Sequence, residues 1–152
     1  MEIYKNNHGL SLIEIVVTIA VIAILAAITI SIVSRMDNQN NEKALANTFA
    51  LLDGALEEYY EYWNGFPDPN LVPYTSSSSA LYGQLSSTPG VKKYLEGISE
   101  DLIDNDTDGT VYISDPWGTL LDYRYISGNS FPELVSAGPD KTFNTVDDIR
   151  NK

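Results

Sequence analysis

The sequence predicts an α+β fold in which one long N-terminal α-helix, transmembrane in its first half, packs on a small antiparallel β-sheet. Three observations predict it. An uncharged, mainly apolar run extends from Ile15 to Val33. A segment with the apolar spacing of an amphipathic helix follows and continues to Trp63. Short β-like runs separated by turn residues then occupy the C-terminal part of the chain.

The apolar run is long enough for a membrane span. Its only polar residues between Ile15 and Val33 are Thr18, Thr29 and Ser31. As a helix it extends about 28 Å at about 1.5 Å per residue, close to the thickness of a bilayer core. A cleaved secretory signal has a shorter apolar region and a small-residue cleavage site after it. The run therefore favours a retained membrane helix, with an ordinary signal anchor as the simplest alternative.

The segment after Ser34 continues the helix with one apolar stripe. The stripe residues recur at steps of three and four: Leu45, Phe49, Leu52, Leu56, Tyr59 and Trp63. Gly65 and Pro67 are expected to end the helix, which we predict from about Leu10 to Trp63. The stripe needs a covering, so we expect Tyr59, Tyr60 and Trp63 to pack under the sheet rather than to line a ligand site.

The remaining segments have weaker signals. The Pro-, Ser- and Gly-rich segment from Phe66 to Gly90 indicates a surface loop, with the serine run at 76–79 as its flexible tip or a glycan acceptor. A short helix or turn is expected from Val91 to about Leu102. The β-like runs are TVYIS, LLDYRYIS and FPELVSA, separated by DPWG and SGNS.

Composition restricts the function classes. The chain has 152 residues, no cysteine and a formal net charge of -12. The lack of cysteine excludes disulfides and thiolate metal sites. The acidic balance argues against a nucleic-acid partner, because phosphate binding needs clustered Lys and Arg, and it suits hard cations. His8 is the only histidine, and the paired acids Glu57 and Glu58 fit a solvated helix face, so we expect no enzyme active site.

One acidic residue, Glu14, lies at the start of the apolar run. An unpaired carboxylate within a membrane span costs about 3 kcal/mol, so such residues are usually functional. If the chain were cut after Gly9, Leu10 would have a new α-amino group about one helical turn from Glu14. The amine of one subunit and the carboxylate of its neighbour could then neutralise each other in a low-dielectric layer.

The stretch GLSLIE, with the apolar run after it, resembles the processing signal of type IV prepilins and pseudopilins. The resemblance implies that residues 1–9 are a leader and that a prepilin peptidase cuts after Gly9 on the cytoplasmic side. The same enzyme would methylate the new N-terminus, Leu10, where the family more commonly has Phe. Glu14 would then be the acid that guides the docking of subunits.

The resemblance also implies a transmembrane and assembly helix at 10–33 and a pilin-like head domain at 34–152 outside the cytoplasm. The implied partners are copies of the chain in a helical fibre, the prepilin peptidase, an inner-membrane assembly platform, minor pseudopilins and membrane lipid. The expected function is a structural subunit of a periplasmic pseudopilus for type II secretion. A type IV pilin for adhesion, motility or DNA uptake is one alternative, and a membrane-tethered calcium-binding module is another. The lack of a C-terminal cysteine pair and the DPWG step favour secretion.

Two acidic loops are candidate calcium sites, and the first is the C-terminal loop LVSAGPDKTFNTVDDI. With the preceding DPWGTLLDYRY, it resembles the calcium loop of the major pseudopilins of type II secretion. The resemblance implies side-chain ligands at Asp140, Asp147 and Asp148, and carbonyl ligands at Ala137 and Thr145. Calcium takes six to eight oxygens, which acid clusters at both ends of a loop are able to supply. A frayed polar C-terminus is the alternative.

The second candidate is the loop DNDTDGTVYISD. Alternating acids, a glycine, a carbonyl position and an acid at the twelfth place follow the spacing of an EF-hand loop. The candidate ligands are Asp104, Asp106, Asp108, Thr110 and Asp115. The closing residue is Asp rather than Glu and Pro116 follows it, so no exiting helix is expected. A solvated acidic turn is the alternative, and we expect the C-terminal loop to be the main calcium site.

Overall fold

The structure, a computed structural model, describes residues 11–71, 76–126 and 128–152, with the side chains at 29–35 left out. The leader at 1–9 and Leu10 therefore lie outside the described residues. The chain divides between Gln39 and Asn40 into two units.

Helix α1 runs from Leu12 to Trp63, as predicted from the sequence. In the first unit its large aliphatic side chains are exposed, from 47% at Ile15 to 81% at Leu12. A helix with apolar side chains on all sides requires a covering of lipid or protein. Within residues 11–71, 76–126 and 128–152, no helix is both long and apolar enough to cross a membrane.

In the second unit α1 supplies one wall of the hydrophobic core. Leu45, Leu52 and Leu56 are fully buried, and Phe49 is 5% exposed. Their spacing places them on one face of the helix, which confirms the predicted stripe. Ala55 of α1 is also buried in the core, and the other residues of the buried core cluster come from the segments after α1, so the head unit folds around the second half of this helix.

The aromatic end of the stripe differs from the prediction. Tyr60 and Trp63 are 44% and 57% exposed, so the expectation that they pack in the core is wrong. The Trp63 indole N–H donates to Thr88 Oγ1 at 3.2 Å, and the Tyr60 ring contacts the Phe66 ring with centroids 4.8 Å apart. The last turn of α1 extends past the core, where the Trp63 indole N–H forms its hydrogen bond at the surface.

A second helix, α2, runs from Ser77 to Ser86 within the segment predicted as a surface loop. Ser76 and Ser79 form a capping box, in which each side chain accepts a hydrogen bond from the backbone N–H of the other. The Ser78 hydroxyl is buried; it donates to the Ile113 carbonyl and accepts from the Ile113 amide. The prediction of a flexible serine tip is wrong, because these hydroxyls form hydrogen bonds with backbone groups at the start of α2 and with the Ile113 backbone.

The rest of the head unit consists of short elements. Helix α3 (Lys92–Leu95) and a 3-10 turn (Glu100–Leu102) lie where a short helix or turn is predicted. The described residues after it form five strands: β1 (Ile103–Asn105), β2 (Val111–Ile113), β3 (Asp122–Arg124), β4 (Glu133–Ser136) and β5 (Ile149–Arg150).

The described strands form two antiparallel sheets rather than the single sheet predicted. One pairs β1 with β2, and the other has the order β3-β4-β5. Strands β1 and β5 were not predicted, because the first is acidic and the second is only two residues long. A long helix with small antiparallel sheets nevertheless confirms the predicted α+β class. The register of β4 with β5 sets Ser136 opposite Ile149, which brings both ends of the C-terminal acidic loop together.

Candidate functional site

Glu14 lies in the first turn of α1. Its Oε2 accepts a hydrogen bond from the Ser11 amide at 3.1 Å, and its carbonyl accepts one from Thr18 Oγ1 at 2.7 Å. An acid in the first turn is favoured by the unpaired N–H groups at a helix N-terminus. The side chain is exposed, so an amine from another chain can reach it. The predicted cleavage site, Gly9 and Leu10, lies outside the described residues.

The two ends of the C-terminal acidic loop lie against each other. Ala137 and Gly138 follow directly on β4, and Asp147 and Asp148 directly precede β5. Gly138 has a φ of 67°, and a Cβ there would collide with the Asp147 backbone carbonyl. Glycine is therefore required at this position both by its backbone conformation and by the close approach.

The predicted carboxylate ligands bind the backbone of their own loop. Asp147 Oδ2 accepts from the Asp140 amide at 3.0 Å, and Asp147 Oδ1 accepts from the Thr145 hydroxyl at 2.5 Å. These hydrogen bonds lower the pKa of Asp147, and the bond from Thr145 has the largest effect. Asp140 Oδ1 accepts from the amide two residues further on, and Asp148 Oδ2 accepts from the Asn144 amide at 3.0 Å. The structure thus places all three acids on one ordered loop.

Asp148 has an oxygen without a hydrogen-bond donor. Its side chain is only 4% exposed, and among the described residues its Oδ1 is buried with no hydrogen-bond partner. Arg150 Nη2 lies 3.9 Å from the other oxygen, Oδ2, which is beyond hydrogen-bond distance. Leaving a buried polar atom unsatisfied costs about 1–3 kcal/mol, and more for a charged group. A cation next to Oδ1 would remove this cost.

The described side chains do not form a preassembled metal site. Within residues 11–71, 76–126 and 128–152, no group of three or more acidic or histidine side chains is arranged to hold a metal ion. The C-terminal loop therefore has oxygen donors of the type that calcium prefers, but its carboxylates are bonded to amides and a hydroxyl.

The second candidate loop, DNDTDGTVYISD, forms a β-hairpin over most of its length. Asp104 lies on β1 opposite Tyr112 on β2. Asp106 closes the turn: its Oδ1 accepts from the amides of Asp108 and Thr110, and its Oδ2 accepts from the Tyr112 hydroxyl at 2.6 Å. These hydrogen bonds lower the pKa of Asp106, and the bond from Tyr112 has the largest effect. Four of the five residues predicted as EF-hand ligands thus lie on this hairpin.

Asp115, the predicted closing acid of that loop, belongs to a separate network. It is 1% exposed, and its Oδ1 accepts from the amides of Trp117 and Thr119. Its Oδ2 accepts from the Ser136 hydroxyl at 2.6 Å. The carboxylate therefore closes the DPWG turn and connects it to the end of β4. Sequence reasoning missed Ser136, whose only signal is its position next to Ala137.

Asn151, also missed, ties the C-terminal end of the chain to α1 and to β4. Its Nδ2 donates to Asp53 Oδ1 at 2.6 Å, and its Oδ1 accepts from the Leu134 amide. Burial raises the pKa of Asp53, and this effect exceeds the opposing hydrogen bond from Asn151.

We expect Asp53→Asn to raise the melting temperature at pH 7. Because the folded pKa lies above 3.8, the favourable contribution of Asp53 is present below that pH and lost as pH rises through the folded pKa. The asparagine keeps an acceptor for Asn151 and has no charge to desolvate. Thermal melting of the full chain in detergent at several pH values tests this. The gain should shrink towards pH 3.8, and the exposed control Glu61→Gln should show no gain.

Comparison with known proteins gives one family and two relatives. A family model described as "Prokaryotic N-terminal methylation motif" matches residues 4–30, which include Gly9, Leu10 and Glu14. The chain is 25% identical to type II secretion system core protein G of Escherichia coli (strain K12) over 154 residues, 99% of this chain and 94% of the relative. It is 27% identical to the protein of the same name from Klebsiella pneumoniae over 155 residues, 97% and 95% of the two chains. No solved structure matches significantly.

Proposed function

We propose that the chain is a pseudopilin of the type IV pilin-like family, because it matches the N-terminal methylation motif and is similar along nearly its whole length to type II secretion core protein G. In this function it is a structural subunit that is processed by a prepilin peptidase and assembled into a periplasmic pseudopilus for type II secretion. It is a substrate of an enzyme rather than an enzyme. One observation supports this above the others: Glu14 lies in the first turn of α1, inside the matched motif.

Assembly uses the apolar part of α1. In the single chain these side chains are exposed, so a stable state requires lipid around them before assembly and neighbouring subunits after it. The chain is therefore a membrane protein of the inner membrane whose head unit lies outside the cytoplasm. Its partners are copies of itself, minor pseudopilins and an inner-membrane assembly platform.

Glu14 selects the register of this assembly. Once the leader is removed, the α-amino group of Leu10 provides a positive charge about one helical turn from the acid of the same chain, so a neighbour shifted along the axis can place its amine next to Glu14. In a low-dielectric layer each of these charges is costly alone, and pairing between subunits removes the cost of both. A subunit docked one turn too high or too low would leave both charges unpaired, so the pair favours one axial position.

Calcium is the cofactor that we propose for the C-terminal loop. Asp140, Asp147 and Asp148 with the carbonyls of Ala137 and Thr145 would hold the ion, which supplies positive charge to the clustered acids. Two observations support the fit: the donors are all hard oxygens, and Asp148 Oδ1 is buried without a partner among the described residues. The hairpin acids stay the second candidate, although Asp106 already has donors at both oxygens.

We expect the mature chain to begin at Leu10 with a methylated amine. The full chain would be produced together with an active prepilin peptidase, and the intact mass of the membrane-extracted protein measured. Loss of residues 1–9 and gain of one methyl group are the expected result. Gly9→Val, which places a branched side chain at the cleavage site, should retain Met1.

Retention of Met1 in the unsubstituted chain would contradict the fibre function, provided that the same peptidase cleaves a known prepilin in the same cells. It would instead favour a membrane-tethered calcium-binding module that acts alone.

A further inference from the structure

A buried chain of hydrogen bonds connects the DPWG turn to the start of the C-terminal acidic loop. The Gly138 amide donates to Ser136 Oγ at 3.0 Å, and the Ser136 hydroxyl donates to Asp115 Oδ2 at 2.6 Å. Asp115 is 1% exposed and Ser136 is fully buried. The other carboxylate oxygen is held by two amides of the turn, so Asp115 has a fixed orientation.

The direction of each hydrogen bond in this chain is determined. The Ser136 hydroxyl donates to Asp115 Oδ2, so its single proton points towards Asp115. The lone pairs of Ser136 Oγ are then left to accept the Gly138 N–H. An alanine at 136 would remove the acceptor for that amide, and an asparagine at 115 would offer an N–H in place of a carboxylate oxygen.

This hydrogen-bond direction fixes a peptide plane. The Gly138 N–H and the Ala137 carbonyl belong to the same planar peptide unit, in which they point in opposite directions when the bond is trans. Because the N–H points towards Ser136, the Ala137 carbonyl points away from it. Gly138 also lies directly against the Asp147 backbone carbonyl, so this peptide unit adjoins the returning end of the loop.

We propose that Asp115 and Ser136 are positioning residues that orient the Ala137 carbonyl towards the cation of the C-terminal loop. This inference rests on the calcium site proposed above and adds two residues that do not touch the ion. Residues that orient metal ligands from outside the coordination shell typically change metal affinity by about 10–100-fold when mutated. The DPWG turn thereby affects cation binding through two hydrogen bonds.

The test compares two buried serines. Calcium binding to the full-length chain in detergent micelles would be measured by isothermal titration calorimetry. Ser136→Ala should weaken binding by about 10-fold or more. Ser114→Ala is the matched control: Ser114 is 2% exposed and its hydroxyl donates to Asp104 Oδ2 at 2.7 Å, outside the chain to Gly138. It should lose similar stability without calcium but keep the affinity of the unsubstituted chain.

A second measurement separates positioning from general stability. In the calcium-free protein, hydrogen exchange of the Gly138 amide should be faster in Ser136→Ala than in Ser114→Ala, because only the first loses the acceptor of that amide. Asp115→Asn replaces Ser136→Ala if the latter does not fold, with the same expected loss of affinity.

The outcomes are distinct. Unchanged affinity in Ser136→Ala, or equal losses in both serine variants, would overturn the positioning function while the calcium site remains. A loss of calcium affinity in Ser114→Ala alone would assign the calcium site to the hairpin, and it would also overturn the positioning function of Asp115 and Ser136. If the unsubstituted chain binds no calcium, the cofactor proposal is refuted together with this inference.

Discussion

Glu14→Gln should leave the chain in the membrane fraction while the yield of sheared fibres falls to near background. The glutamine has nearly the same size and is cheaper to place in hydrocarbon, so insertion is retained or improved. Assembly suffers because the amine of the neighbouring subunit loses its counter-charge. Breaking a buried ion pair by removing one partner costs about 3–5 kcal/mol, which corresponds to a loss of roughly 100-fold or more in subunit association.

The matched control for this experiment is Glu42→Gln. Glu42 lies on the same helix, is exposed and undergoes the same chemical change, but it lies outside the apolar run. Membrane fractionation and fibre yield would be measured for both variants at equal expression. A normal fibre yield from Glu14→Gln would show that the acid does not direct docking, and an equal loss in Glu42→Gln would show that the effect is not specific to the pair.

The sequence was sufficient for α1 and for Glu14 because both depend on local pattern. The apolar period of the helix and an acid close to a glycine are visible without any tertiary contact. Helix α2 was missed for the opposite reason. Its serine run resembles a loop in isolation. In the fold, Leu81 and Leu85 are buried in the core and Ser78 binds the Ile113 backbone.

In the candidate site, too, some residues could be predicted from the sequence and others depend on tertiary contacts. The acids of the C-terminal loop were predicted as ligands because the loop resembles the calcium loop of the major pseudopilins, and carboxylate oxygens are donors that calcium prefers. Ser136 and Asn151 were missed because a single polar residue gives no signal until its partners, Asp115 and Asp53, are brought close by the fold. Asp115 was assigned to the wrong neighbourhood by spacing alone: its contacts are with the DPWG turn and β4 rather than with the hairpin.

Calcium should raise the melting temperature of the full chain by on the order of 10 °C at a hundredfold excess over the dissociation constant. Binding to the folded state alone contributes about 2.7 kcal/mol at that concentration. For a domain of this size each kcal/mol shifts the melting temperature by about 3–6 °C. Magnesium should produce a smaller shift, because it loses water reluctantly and requires a tighter octahedral geometry. The measurement is a thermal melt in detergent with calcium, magnesium or chelator.

Substitutions in the two loops decide between the sites. Asp147→Asn combined with Asp148→Asn should abolish the calcium-induced rise, whereas Asp104→Asn combined with Asp106→Asn should keep it. The reverse pattern would assign calcium to the hairpin. A melting curve that neither calcium nor chelator moves would remove the ion from both loops and leave Glu14 and the apolar helix as the functional elements.

Asp148→Asn alone should change the melting temperature in opposite directions without and with calcium. Without calcium this variant should melt at or above the temperature of the unsubstituted chain, because the buried Oδ1 no longer has a negative charge that lacks a donor among the described residues. With calcium it should melt below the unsubstituted chain, because the same charge is then part of the coordination shell. A purely structural aspartate would lower or preserve stability equally in both conditions. The crossing of the two curves is therefore specific to a carboxylate with one buried oxygen, Oδ1, that accepts no hydrogen bond from the described residues and can bind a cation.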